Sequence, residues 1–317
     1  MTNRIVFSIL LLSVFLFSCA DNEALEDSRP DEEETTEAVY ILPVVVHIIH
    51  TGEETGTGYN LSEERIIGQI KTLNDDFRKK PGTLGYNTHP LGTDAKIEFK
   101  FAEIDPDGNP TSGITRINGH DVSENTDDVD DTDSEGWFFD TLPKYGYWDT
   151  QRYINIWVFP FEPNRILGQA SFPKADIAGL EDISASITTG IVITSPHFGT
   201  SDLEGGSNLG RSLTHEMGHF LGLEHLWGKI ENADCAEYDD YCEDTPLVSR
   251  RTKNCDNGPP SCGGEPALTQ NYMDYTDDSC MNMFTKDQVA RMRYVLENSP
   301  VQSSLKSSTA LQRPSMR

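Results

Sequence analysis

The sequence predicts an α+β protein, and three observations carry that reading. Valine- and isoleucine-rich strand patterns and a single amphipathic helix occupy the first part of the chain. A second helical pattern stands near the middle, over Leu209 to Leu221. From Gly222 to Asp278 regular signals fade, and cysteines take over the task of holding shape.

The elements follow in order. Val39 to Ile49 reads as a buried strand, and Thr51 to Gly58 as a loop rich in Gly and Thr. Ser62 caps a helix that carries Glu63 and Glu64 in its first turn and Ile66, Ile67, Ile70, Leu73 and Phe77 as its apolar residues. Ile97 to Phe101 alternates as a strand, and Asp105-Pro106-Asp107-Gly108 is a turn. Ile114 to Ile117, Tyr153 to Phe159 and Gly190 to Thr194 read as further strands. Asp127 to Glu135 is an acidic loop whose oxygens suit calcium or water. Gly199 to Gly210 is a glycine- and serine-rich loop. Lys286 to Glu297 closes with a helix that sets Val289, Met292, Val295 and Leu296 on one side. Residues 299–317 read as a flexible tail.

The 317 residues carry 25 Lys+Arg against 52 Asp+Glu, a formal charge of −27, which excludes a nucleic-acid binder that works by counterion release. Hydrophobic residues make up 36%, enough for a buried core, so wholesale disorder is excluded. Ile5 to Phe17 is apolar over the length of a signal-peptide core and short of a membrane span. It ends at Ser18-Cys19, which resembles the lipobox of bacterial lipoproteins. Residues 1–18 are thus expected to be a signal peptide, Cys19 the acylated residue, and the protein exported, either anchored at the outer membrane or cell surface or secreted. Residues 19–38, with the run Glu32-Glu33-Glu34, read as an acidic tether or a short pro-segment. In an exported chain, Cys235, Cys242, Cys255, Cys262 and Cys280 read as disulfide formers with one thiol left over.

The chemistry is concentrated at residues 213–228. His215 and His219 are four apart, so their side chains lie about 40° apart on one face of a helix and reach one point. Gly222 ends the helix in the left-handed conformation that a Cβ disfavours, and the chain can then return His225 from the far side. Three neutral imidazoles suit Zn²⁺ and leave one coordination position for water. Zinc lowers the pKa of a bound water to about 7, and Glu216, beside it, is placed as general base and then acid. His47 and His50 lie three apart on a strand and face opposite sides, so they are read as structural.

His-Glu-x-x-His-x-x-Gly-x-x-His over 215–225, followed by Asn271-Tyr272-Met273-Asp274-Tyr275, resembles the metzincin signature with its Met-turn. Gly210-Arg211-Ser212-Leu213, Asp240 to Pro246, Cys280 and Phe284-Thr285 bring it closest to the pappalysin family, including its ulilysin-like bacterial members. The resemblance spans roughly residues 40–298. It implies a metzincin-like catalytic domain. The upper subdomain, 39–222, would hold a twisted mixed sheet, a backing helix and the zinc helix above the cleft. The lower, 223–298, would be loop- and disulfide-rich, carry the Met-turn and end in a C-terminal helix. It implies Met273 beneath the zinc ligands and Tyr275 as a donor to the tetrahedral intermediate. It further implies calcium at Asp240 and the Thr245 carbonyl, and disulfides Cys235–Cys255 and Cys262–Cys280. Cys242 would then be the odd thiol, unless it replaces Cys235. Some relatives favour basic residues beside the scissile bond, and Asp277 or Asp278 could line such a pocket.

The expected activity is a monomeric zinc endopeptidase acting on protein or peptide substrates. The alternatives are a zinc hydrolase of a non-peptide amide and a non-catalytic, metal-stabilised adhesion lipoprotein.

Overall fold

The computed structural model describes residues 38–122, 142–160, 166–184, 189–232, 239–256, 258–259 and 261–312. Cys19, the acidic loop 127–135 and Cys235 lie outside them.

The frame is a six-stranded mixed sheet. Its longest strand is β1, Tyr40–His50, whose eight central residues are all buried. A run this apolar, interrupted only by His47, suits a strand covered on both faces. β1 pairs in parallel with β2 (Ile97–Phe101) along its first half and with β3 (Ile114–Asn118) along its second. Its other edge pairs in parallel with β4 (Ile154–Phe159). Beyond β4 lies β6 (Gly190–Thr194), also parallel. The sheet ends in β5 (Gly168–Ala170), antiparallel to β6. This three-residue strand gave no sequence signal, because it is too short to show a period.

One face of β1 sends Leu42, Val44, Val46 and Ile48 into the main core. Helix α1, Glu63–Phe77, covers this core with Ile66, Ile70, Leu73 and Phe77. Ser62 accepts from the Arg65 amide at 3.3 Å as its N-cap. Ile67 falls outside the apolar stripe and stays exposed. Helix α2, Arg211–Phe220, is buried along all ten residues. Two polar links tie it to α1. Asp76 accepts from Arg211 Nη2 at 3.1 Å and from the Thr214 hydroxyl at 2.8 Å. Gln69 Nε2 donates to the Gly210 carbonyl at 2.9 Å.

From Gly222 onward the described chain runs mostly through turns to helix α3, Lys286–Asn298, which a capping box between Thr285 and Gln288 starts. The same Gln288 side chain pairs with Asn271, whose Oδ1 accepts from the Met273 amide at 2.9 Å. One cap therefore fixes both the last long helix and the turn around Met273.

Two expectations are corrected. The disulfide is Cys255–Cys280, with Cα atoms 5.8 Å apart, so neither Cys235–Cys255 nor Cys262–Cys280 forms. A bridge requires spatial approach of this order, which the order of cysteines along a chain does not encode. Cys262 is also disulfide-bonded, and Cys242 is free and buried. The segment expected to be a loose tail is folded over its described part. Helix α4, Gln302–Leu305, buries Leu305, and the Ala310 carbonyl accepts from the Glu103 and Ile104 amides at 2.8 and 3.1 Å. Its few apolar residues are spaced too widely for a helical stripe, but Leu305 joins the main core and Ala310 packs with Val45, Ala102 and Tyr153.

Candidate active site

The site forms where α2 ends. Gly222 has φ +94°, and a Cβ there would stand 2.9 Å from Leu180 Cδ1 and from Val295 Cγ2. Only glycine meets both demands at no cost. Its amide donates to the His219 carbonyl at 2.9 Å, and its own carbonyl accepts from Arg291 Nε at 2.6 Å. The chain thus leaves the helix at a fixed angle and carries His225 back.

His215, His219 and His225 converge. Their Nε2 atoms form a triangle with sides of 3.2, 3.1 and 3.1 Å. Among the described residues this is the group of three or more His, Cys, Asp or Glu side chains gathered closely enough to hold a metal. His215 Nδ1 donates to the Tyr272 carbonyl at 2.7 Å, and His219 Nδ1 to the Leu223 carbonyl at 2.6 Å. A carbonyl has no proton to give, so both rings carry theirs on Nδ1 and turn an Nε2 lone pair inward. Burial pushes His215 down to about 4 and His219 to about 3, and burial with the neighbouring rings lowers His225 well below its ordinary value. Neutral lone pairs facing one another repel unless a cation sits among them. Tetrahedral ligands about 2.0–2.1 Å from zinc stand about 3.3–3.4 Å apart, close to the triangle observed. The donor set fits zinc.

Glu216 turns into a cleft of about 550 Å³ that His215 and Tyr275 also line. Burial raises its carboxyl to about 8. A cation at the three imidazoles acts in the opposite direction and favours the carboxylate. Gly168 of β5 makes room for it, since a Cβ there would lie 2.8 Å from Glu216 Cγ. Ile166, Leu167 and Gly168 give the cleft a sheet-edge wall, which the sequence reading missed along with β5.

Beneath the triangle, a Cβ on Gly218 would meet Met273 Sδ at 2.5 Å, so Met273 packs directly under the zinc helix. Tyr275 lies 5.3 Å from the His215 ring and 4.9 Å from the His225 ring, centre to centre. Trp227 stacks on His225 at 4.4 Å and meets Tyr275 edge-on at 5.0 Å. Arg251 also lines the cleft, and reading the sequence did not single it out. The only signal was the pair Arg250-Arg251 in so acidic a chain.

The remaining candidates are not part of the histidine cluster. Asp240 and Thr245 are together: the Thr245 hydroxyl sits 2.8 and 2.7 Å from the two Asp240 carboxylate oxygens. Burial raises the Asp240 carboxyl to about 7. Asp278 lines the cleft, but its Oδ2 already accepts from the Leu209 and Arg211 amides at 2.7 and 3.2 Å. His47 is buried away from the site, bonded to Thr115 Oγ1 at 2.7 Å and Asn155 Oδ1 at 3.0 Å.

Fold and site together define a zinc-dependent metalloendopeptidase. The family profile described as Pregnancy-associated plasma protein-A, a peptidase family, matches residues 139–297, and the chain belongs to that family, the pappalysins. An extracellular metalloprotease of Colletotrichum graminicola is 35% identical over 84% of this chain and 80% of its own. One from Arthroderma benhamiae is 31% identical over 85% of this chain and 83% of its own. Mature mirolysin of Tannerella forsythia, solved in complex with a cleaved peptide, matches with a TM-score of 0.72 at 33% identity, covering 88% of this chain and 100% of that one. Like its extracellular relatives, the chain is an exported protein acting on protein or peptide substrates.

Proposed function

We propose that His215, His219 and His225 hold the catalytic zinc and that Glu216 and Tyr275 perform the hydrolysis. The observation that carries this reading is the triangle of inward-facing Nε2 atoms beside a cleft-facing carboxyl. Zinc bound there supplies a Lewis acid that acidifies water and polarises a carbonyl. Glu216 takes the proton of the attacking water as its oxygen bonds to the scissile carbon. It then delivers that proton to the amide nitrogen as the C–N bond breaks. The Tyr275 hydroxyl donates to the oxyanion of the tetrahedral intermediate. Gly222 and Met273 serve the site by shape, one returning His225 and the other flooring the helix. The terminal β5 edge at the cleft wall supports binding of an extended peptide by strand addition.

The cleft divides the catalytic domain into an upper part, 39–222, and a lower part, 223–298. The lipobox-like Cys19 supports a membrane anchor after removal of residues 1–18, with 19–38 as tether and the enzyme acting as a monomer. Buried Asp240 with the Thr245 carbonyl supports a structural calcium, read by a calcium-dependent rise in unfolding temperature. The adhesion and non-peptide amide alternatives find no support among relatives that are metalloproteases.

The test is cleavage of casein by the purified exported chain, with metal analysis of the same sample. Glu216→Ala should retain one zinc and lose about 10²–10⁴-fold in kcat. A chelator should abolish cleavage, and added zinc should restore it. Full activity in Glu216→Ala would sink the assignment.

A further inference from the structure

Tyr275 has an unusual support. It is 42% exposed, and its backbone amide is tied to Asp274 Oδ1 at 2.8 Å. Among the described residues no hydrogen bond holds its hydroxyl. Its ring is therefore located by what packs on it. The His215 and His225 rings and the edge-on Trp227 contact it. The remaining contact is the Arg251 guanidinium, 4.8 Å from the ring centre.

Arg251 is itself fixed. Its Nε lies 3.1 Å from both carboxylate oxygens of Glu231, its Nη2 donates to Glu231 Oε2 at 2.7 Å, and its backbone amide donates to Glu231 Oε1 at 3.2 Å. The next residue is fastened too: the Thr252 amide donates at 2.8 Å to Asp274 Oδ1, the atom that also takes the Tyr275 amide. One carboxylate thus pins the 251–252 segment and the Tyr275 backbone to a common point. Arg251 also lies 5.9 Å from the Trp227 ring centre, so Trp227, Tyr275 and Arg251 form one contiguous cluster.

We propose that Arg251, clamped by Glu231, is a positioning residue for this peptidase: it holds the Tyr275 ring so that its hydroxyl faces the reacting carbonyl. The inference rests on the catalytic role given to Tyr275 above. A guanidinium over an aromatic face is attracted by the ring quadrupole and cannot lose its charge at working pH. Its clamp to Glu231 leaves it little freedom, so the ring it faces keeps one orientation. A hydroxyl that must meet an oxyanion gains from such preorganisation, because a displacement of about 1 Å can cost about 10²-fold in rate.

Steady-state kinetics on a peptide substrate test this, with zinc content and unfolding temperature measured alongside. Arg251→Met should lower kcat about 10- to 100-fold while KM stays within about twofold. Arg251→Lys keeps a cation above the ring and should recover much of the loss. Tyr275→Phe alone should cost about 10²–10³-fold. In that background Arg251→Met should cost less than about twofold, since no hydroxyl is left to position. Additive losses in the double variant, or a loss confined to KM, would make Arg251 a substrate-binding cation and overturn the proposal, as would an unchanged kcat in Arg251→Met. Wild-type kcat in Tyr275→Phe instead removes the role of Tyr275, and the inference falls with it. Should Arg251→Met lose zinc or fold poorly, Glu231→Gln, which keeps the guanidinium and loosens its clamp, carries the same comparison with Tyr275→Phe.

Discussion

At the scale of single residues, the sharpest demands come from shape and proton location. Gly222→Ala forces a Cβ to 2.9 Å from two buried methyl groups at φ +94°. It should destabilise the fold by about 1–3 kcal/mol in denaturant unfolding and weaken zinc retention, because the same turn aims His225. A variant as stable and as zinc-loaded as wild type would show that the turn tolerates a side chain. His47 offers a pH test outside the metal centre. Burial pushes it down to about 4. Below its ordinary value of about 6.5, the unfolded chain takes a proton that the folded chain refuses, so stability falls as pH drops, until the folded form also protonates near 4. Between pH 7 and pH 5 this should amount to about 2 kcal/mol. His47→Gln, which cannot titrate, should lose less stability than wild type over that range in matched unfolding curves. The convergence of His215, His219 and His225 was legible in the sequence because a helix fixes the angle between residues four apart and a glycine at its end can turn the chain back. Arg251 was not, because its meaning lies in Glu231 and Tyr275, 20 and 24 positions away.

Among the elements, the link between α1 and α2 positions the zinc helix. Arg211 and Asp76 are both buried, and Asp76 also takes the Thr214 hydroxyl. Asp76→Ala leaves a buried guanidinium without its partner and should cost about 3–5 kcal/mol of stability, measured by thermal or denaturant unfolding. A loss below about 1 kcal/mol would show that Arg211 finds another acceptor or water. The C-terminal segment gives a second test. Deletion of residues 299–317 should lower the unfolding temperature, since it strips fully buried Leu305 and Ala310 and the two backbone hydrogen bonds that the Ala310 carbonyl accepts from Glu103 and Ile104. A truly loose tail could be removed without effect. Strand and helix positions were readable where the apolar run or stripe was long, as in β1 and α1. β5 and α4, with three and four residues, are too short to show a period and exist because neighbours accept them.

For the whole molecule, the turn-rich region after Gly222 depends on cross-links as well as on packing. Cys255–Cys280 closes a separation of 25 residues across a region of turns, and Cys255→Ser with Cys280→Ser should cost about 2–4 kcal/mol. Peptide mapping under non-reducing conditions reads the pairing directly, and a Cys235–Cys255 peptide would refute it. The sequence by itself determined the α+β class, the long strand, the backing helix and the zinc-binding pattern. Each is written in local periodicity, in one helix turn, or in a glycine at a helix end. Only the tertiary structure decided which cysteines bond, which short edge strand walls the cleft, whether the last residues fold, and which arginine faces Tyr275. Those depend on atoms brought together from distant parts of the chain, and no spacing along the sequence encodes that approach.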